Sequence, residues 1–267
     1  MHNNSYLTLY FSATGNSEFI ARIFSQQMNA KCLSIEDDAD FEAEIKAHDA
    51  IAFCYPIFGS RLPRNLRVFV AANLEYLNGK KIIIFATQAA FSGDGARVLT
   101  DLFPPGAIEV IYAEHIKMPS NVNNIPFFIR PSQKAIQKQF NNAEAKMLQI
   151  CEDIKSGIIK KRGFSRFSRF LGNLQGRIWM GNSKNIEPST KSAEHWLKNS
   201  LKIRKNCTAC NLCVKICPVK NLVNEEGKIV PQGNCIVCYR CLNRCPEKAV
   251  RVMVPFKPSW QYRGRML

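Results

Sequence analysis

Y-L-T-L-Y-F-S-A-T-G-N-S, Tyr6 to Ser17, decides how the first half of this chain is read. Tyr6–Phe11 is a short apolar run suited to a buried strand. Ser12–Ser17 is rich in hydroxyls and glycine, and E-F-I-A-R-I-F follows with helical spacing. A strand, such a loop and a helix together form an anion cradle. Loop N–H groups point at the ligand, and the helix N-terminus adds partial positive charge. The loop has no lysine and no G-x-G-x-x-G, so it is neither a P-loop nor the dinucleotide fingerprint. An ordinary helix cap needs one Ser or Thr. Four hydrogen-bonding side chains beside Gly15 exceed that requirement.

Working outward, Ala50–Cys54, Lys81–Ala86 and Ile108–Ala113 are further short runs rich in Ile, Phe and Val, and Ala30–Ile35 is a weaker one. Runs of this kind suit strands covered on both faces of a parallel sheet. Helical spacing fills the gaps. Leu66, Phe69, Val70 and Leu74 follow Pro63, a good first-turn residue. Ile136, Phe140, Ala143, Met147, Ile150, Cys151 and Ile154 mark a long amphipathic helix. Five strands alternating with helices give a doubly wound α/β domain over 1–155.

The 267 residues are enough for two modest domains, and 46% are apolar. No run approaches the roughly 20 apolar residues of a membrane span, and the first residues lack the pattern of a secretory signal. A cytoplasmic location is the resulting expectation, and there clustered cysteines bind metal rather than pair.

Residues 200–267 hold eight of the eleven cysteines, in two copies of one spacing. C-T-A-C-N-L-C-V-K-I-C-P begins at Cys207 and C-I-V-C-Y-R-C-L-N-R-C-P begins at Cys235. C-x2-C-x2-C-x3-C-P is the bacterial ferredoxin pattern. Three close thiolates take three corners of a [4Fe–4S] cube, and the fourth serves the other cluster. One set is therefore Cys207, Cys210, Cys213 and Cys245; the other is Cys235, Cys238, Cys241 and Cys217. A pair of structural zinc sites is the competing reading, but zinc takes ligands in short pairs split by a longer loop. Cys54 and Cys151 read as core thiols.

Between the halves, 156–199 forms a basic bridge. Lys155–Lys184 contains eight Lys/Arg and no Asp or Glu. As a helix, it aligns Phe164, Phe167, Leu171, Leu174 and Ile178 on one face, with Arg162, Arg166, Arg169 and Arg177 toward the other. The expectation is that the apolar face docks on a domain and the basic face is solvated. An acidic redox partner and peripheral membrane contact are the alternatives. Glycines at 157, 163, 172 and 176 argue against a rigid independent helix.

The Ser12–Ser17 loop resembles the FMN phosphate loop of flavodoxins, which implies that Ser12, Thr14, Gly15, Asn16 and Ser17 hold the phosphate. The resemblance implies strand order 2-1-3-4-5, with the flavin at the switch point between strands one and three. Y-P-I-F-G-S-R-L-P from Tyr55 is similar to the first flavin-flanking loop. It offers Pro56, Ile57, Phe58 as stacking ring, and Gly59. T-Q-A-A-F-S-G-D-G from Thr87 looks like the second, offering Thr87, Gln88, Ala89 and Gly93. Core packing is the competing reading for Phe58 and Phe91. The last module resembles the two-cluster bacterial ferredoxins, though it carries 13 Lys/Arg against 3 Asp/Glu from Ser200 to Leu267. In this order the modules resemble the fused flavodoxin–ferredoxin family of anaerobic bacteria and archaea. K-M-P-S-N-V from Lys117 also matches that family, without an assignable role.

The resemblance implies an iron–sulfur flavoprotein that moves electrons between an external low-potential carrier, two [4Fe–4S] clusters and FMN, reducing a small acceptor at the flavin. The alternative is a dedicated carrier serving a larger enzyme. The formal charge of +16 suits an acidic partner such as a ferredoxin. No RNA- or DNA-binding module is recognisable, so nucleic acid is not an expected partner. A homodimer is compatible with the sequence. No convincing acid or base appears, and His115 reads as structural.

Overall fold

The computed structural model describes residues 5–125, 130–180, 190 and 192–264, with backbone alone at 175 and 177–180. In chain order the first part contains β1 (Tyr6–Tyr10), α1 (Asn16–Met28), β2 (Lys31–Ser34), α2 (Phe41–Lys46), β3 (Ala50–Pro56), α3 (Arg64–Ala72) and α4 (Leu74–Leu77). It continues with β4 (Lys81–Gln88), a 3-10 turn at Arg97–Leu102, β5 (Glu109–Lys117), α5 (Gln133–Lys155), β6 (Lys160–Lys161) and α6 (Arg166–Met180). The second part contains α7 (Ala193–Lys198), β7 (Lys202–Ile203), α8 (Leu212–Lys215), β8 (Leu222–Glu225), β9 (Lys228–Pro231), α9 (Arg240–Arg244) and β10 (Val250–Arg251).

The first sheet is parallel, in the order β2-β1-β3-β4-β5-β6. Alternation along its strands divides two cores. Leu7, Leu9, Ile51, Phe53, Ile82 and Ile84 face α3 and the 3-10 turn, through Leu66, Val70, Val98 and Leu99. Ala52, Cys54, Ile83, Phe85 and Tyr112 face α1 and α5, through Phe19, Phe24, Phe140 and Met147. Each large side chain buried here contributes roughly 1.5–3 kcal/mol. Thr8 lies among apolar neighbours because Ser25 Oγ donates to its hydroxyl at 2.7 Å. Ser132 caps α5 by accepting from the Ala135 N–H at 3.1 Å. The second part is small, with β7 pairing with β10 and β8 with β9, both antiparallel.

The sixth strand is an addition to the five expected. Lys160 and Lys161 join the β5 edge, and the Arg162 N–H donates to Ala113 O at 2.9 Å. The cause is Glu114, a fully buried carboxylate on β5. Lys146, Lys160 and Arg162 approach it at 3.3, 3.4 and 3.3 Å. Burial pushes its pKa up, but the His115 N–H, Lys146 and Arg162 outweigh that and leave it lowered. The buried anion thus fastens the start of the basic bridge to the sheet.

The helix in the bridge docks by a different face from the one expected. Phe164 packs against the core. On α6, however, Gly172 and Gly176 are buried, while Phe167, Phe170 and Leu174 are 70%, 63% and 51% exposed. Ile178 and Arg177 have side chains outside the described residues. A Cβ on Gly172 meets Asp94 Oδ1 at 1.7 Å, and one on Gly176 meets Arg61 Cζ at 2.8 Å. Both contacts lie in the loops after β3 and β4. A glycine stripe wins over the apolar face because it alone lets the helix backbone reach the buried Asp94–Arg97 ion pair. Gly172→Ala is expected to lower stability by about 1–3 kcal/mol through overpacking. Helix propensity alone gives a gain near 1 kcal/mol. Thermal unfolding decides the sign, and a stabilised variant contradicts this packing.

Candidate functional site

The Ser12–Ser17 loop leaves β1 and opens α1. Gly15 sits at φ +98° as the N-cap, and no side chain caps the helix. The first-turn N–H groups of α1 are therefore not claimed by a capping side chain. The hydroxyls have other work. Ser12 Oγ accepts from the Gly15 N–H at 3.1 Å, and Ser17 Oγ shares a 2.7 Å bond with Thr87 Oγ1. Asn16 donates to Pro119 O at 2.8 Å and accepts from the Tyr262 hydroxyl at 2.5 Å. The cradle is held in shape from three distant parts of the chain.

A cavity of about 460 Å³ opens above this loop, at the carboxyl ends of β1, β3 and β4. That volume falls within the range of pockets for drug-sized ligands. Ser12, Thr14, Asn16 and Ser17 line its floor, followed by Pro56, Ile57, Phe58 and Gly59, then Thr87, Gln88 and Ala89. The Phe58 and Arg61 N–H groups each donate to the other's carbonyl, at 3.0 and 3.1 Å. Gly59 and Ser60 between them have φ of 56° and 60°. Positive φ at both central residues is the type I′ turn, which glycine favours. Gly15 lies at the edge, facing a neighbouring groove. Gly93 is not a lining residue: at φ +63° it presses against Gly172 of α6, 2.6 Å from its N if given a Cβ. Phe91 is 58% exposed and outside the lining.

The far wall comes from the second module. Ile236, Val237, Tyr239 and Met253 line the cavity, with Trp196 and Leu197 of α7. M-P-S-N-V, 118–122, forms the side between the modules. Among the described residues that line the cavity there is no Asp, Glu, Lys, Arg or His. His115 is elsewhere, buried and neutral in role: its Nε2 accepts from the Ala96 N–H at 2.9 Å.

The cysteines surround two small hollows. Cys207, Cys210, Cys213 and Cys245 ring one; Cys217, Cys235, Cys238 and Cys241 ring the other. Among the described residues no group of three or more His, Cys, Asp or Glu is placed to hold a single ion. All four cysteines of each set nevertheless line one hollow. The two loops match position by position. Ala209 and Val237 have φ of 51° and 56°, and Asn211 and Tyr239 have φ of 63° and 64°. The Ala209 and Val237 N–H groups donate to Cys207 and Cys235 Sγ, at 3.4 and 3.3 Å. Asn221 and Ala249 do the same for Cys217 and Cys245, at 3.2 and 3.3 Å. A left-handed valine costs of order 1–3 kcal/mol, tolerated where the surroundings fix it. Here it turns N–H groups toward sulfur, where they favour a negative cluster.

The family model for the flavodoxin domain matches residues 7–118, and that for the 4Fe-4S dicluster domain matches residues 189–250. The chain has the fused flavodoxin–ferredoxin layout. Similar solved structures include oxidised flavodoxin 1 from Bacillus cereus (16% identity, 54% of this chain, 97% of that chain, TM-score 0.37). Another is the two-electron reduced flavodoxin of Megasphaera elsdenii (22% identity, 53% of this chain, 98% of that chain, TM-score 0.36). A third is a flavodoxin from the domain Archaea (15% identity, 57% of this chain, 99% of that chain, TM-score 0.36). No curated protein matches the chain.

In this iron–sulfur flavoprotein, burial and neighbouring thiols push the Cys235 pKa up to about 12 and the Cys213 pKa up to about 11. Binding iron must displace those protons. The joint between the modules centres on Arg240, between Cys238 and Cys241 in sequence. It donates to Ser12 O at 2.7 Å, Ala13 O at 3.1 Å and Ile216 O at 3.0 Å, and to Glu36 at 2.5 and 2.7 Å. Asparagines complete it. Asn121 donates to Cys238 O at 3.1 Å, Asn243 to Asn121 O at 2.9 Å and Asn124 to Val252 O at 2.6 Å. Sequence reasoning missed this joint. Three asparagines in N-V-N-N, 121–124, were the available signal, because buried amides need distant partners.

Arg240→Ala is expected to lower stability by about 3 kcal/mol, a fall of roughly 6–10 °C in Tm. Arg240→Lys should recover only part of this, since three donors replace five. An unchanged Tm contradicts the assignment. For His115, burial is the largest cause and pulls its pKa from 6.5 to about 4, with Arg162 and Lys146 also lowering it and Glu114 opposing. The folded state resists protonation, so this stability is complete above pH 6.5 and drains away as pH falls toward 4. Anaerobic unfolding of wild type and His115→Gln across this window should converge at the acid end. A constant difference contradicts it.

Proposed function

We propose that the eight cysteines hold two [4Fe–4S] clusters and that the cavity holds FMN, making the chain an electron relay that reduces a small acceptor. When bound, the clusters pass single electrons and the flavin joins single-electron flow to two-electron chemistry. One observation carries this reading: Ile236, Val237 and Tyr239, which lie between the cysteines of the second set, are also a wall of the cavity. The same short loop serves both groups, so little protein separates them.

The residues have distinct tasks. Ser12, Thr14, Gly15, Asn16 and Ser17, with the α1 N-terminus, would hold the phosphate. Phe58, Gly59, Gln88 and Ala89 would flank the ring. Ile236 and Val237, apolar and on the cavity wall, would keep water from that side of the ring. Cys210 is exposed, whereas Cys238 and Cys241 are buried. Exposed Lys205 and Lys215 lie near Cys210 in sequence. The first cysteine set therefore suits an acidic external carrier such as a ferredoxin, and the second faces the flavin. Clustered cysteines that bind iron rather than pair fit a reducing, cytoplasmic setting.

A second reading, a dedicated carrier with no substrate of its own, is favoured by the described lining, in which no Asp, Glu, Lys, Arg or His stands ready to exchange a proton with a substrate. Both readings are tested by anaerobic purification with iron, sulfide and flavin counts, then rapid reduction by a reduced ferredoxin. The expected result is two clusters and one FMN, with flavin reduction slowed at least about tenfold in Cys241→Ser. An unchanged rate contradicts the relay. Among small acceptors, turnover with none assigns the carrier role.

A further inference from the structure

Helix α6 has two uses of its surface. Its Gly172–Gly176 edge is spent on the loops that flank the cavity. At 100° per residue, Phe167, Phe170 and Leu174 lie on the opposite side. They are 70%, 63% and 51% exposed. Ile158 and Ile159, just before β6, are 50% and 64% exposed, and Trp196 on the adjoining α7 is 60% exposed at the cavity rim. Single exposed apolar residues are ordinary. A helix face made of two phenylalanines and a leucine is not, and large exposed patches mark interaction sites.

The charge around this face points one way. Lys161 and Arg162 just before the helix are exposed, as are Arg166, which flanks this face, and Arg169, which lies between it and the glycine edge. From Ile154 to Ile186 the sequence contains no Asp or Glu. We propose that α6 docks this protein peripherally on an anionic lipid bilayer, with Phe167, Phe170 and Leu174 entering the headgroup–acyl boundary and Arg166 and Arg169 meeting lipid phosphates. Aromatic and leucine side chains on one face, edged by arginine, are the composition of helices that lie in that plane. Aromatic rings also favour membrane interfaces. A second copy is a poor occupant. An isologous contact sets each patch against itself, opposing arginine with arginine on a chain of formal charge +16. Neither loop contact of the glycine edge would be disturbed by docking.

The test uses anaerobically purified holoprotein and co-sedimentation with vesicles. One set is phosphatidylcholine alone and the other contains phosphatidylglycerol. The expected result is binding to the anionic set at least about tenfold tighter than to the neutral one, weakening with added salt. The triple variant Phe167→Ser, Phe170→Ser, Leu174→Ser should lose that binding while keeping the wild-type Tm, iron and flavin content. Val68→Ser, exposed elsewhere, should bind as wild type. Two results overturn the proposal: wild type that ignores both vesicle types, or a triple variant that binds equally well. A wild-type dimer that the triple variant dissociates assigns the face to a second copy and also overturns it. The readout is independent of electron transfer, so it stands or falls apart from the relay.

Discussion

The joint between the modules depends on the Arg240 side chain. A guanidinium has five N–H donors in a fixed fork. Arg240 makes five hydrogen bonds: two to carbonyls of the loop between β1 and α1, one to Ile216 O and two to Glu36. Burial works against its charge, and Glu36 more than offsets that, leaving its pKa raised. Ser12 and Ala13 belong to the loop that lines the cavity. Ile216 directly precedes Cys217, which crosses to the second cysteine set. One side chain therefore fixes the cradle, the cysteine loop and the repeat crossing in one frame. Phe11, Ala13, Ile236 and Cys238 pack together beneath it.

Within that frame, the second module trades backbone comfort for directed N–H groups. Its apolar core is small, with Leu201, Leu222, Leu242, Val250 and Val252 at its centre. Against this stand three pairs of left-handed residues: Ala209 and Val237, Asn211 and Tyr239, Lys220 and Lys248. They recur at the same offset as the cysteines, so the strain belongs to the binding loop. A core of this size needs bound metal to offset such costs.

β1, β3, β4 and β5 were legible because each is covered on both faces and so reads as an apolar run. The cysteine sets were legible because their spacing is itself the constraint, and the cradle because hydroxyls and Gly15 exceed what a cap needs. Lys160–Lys161 had no strand signal: a two-residue basic edge is held by Glu114, itself one charge in an apolar strand. The bridge helix misled for a physical reason. Hydrophobic periodicity marks which face is apolar, not which is buried, and Gly172 and Gly176 won by fitting against Asp94 and Arg61. Gly93 was drawn into the same contact and away from the cavity. Ile236, Val237, Tyr239 and Met253 were illegible as cavity wall because their partners lie more than a hundred residues away in sequence. So was the tail, where the Tyr262 hydroxyl reaches Asn16.

The central claim is that residues between two cluster-ligating cysteines form the wall of the flavin site. Diffraction from oxygen-free crystals of the loaded protein, recorded at the iron absorption edge, tests it most directly. The expected result is iron within both cysteine rings and a flavin ring lying between Phe58 and the Ile236–Val237 wall. Iron in only one ring, or a flavin bound away from that wall, contradicts the account.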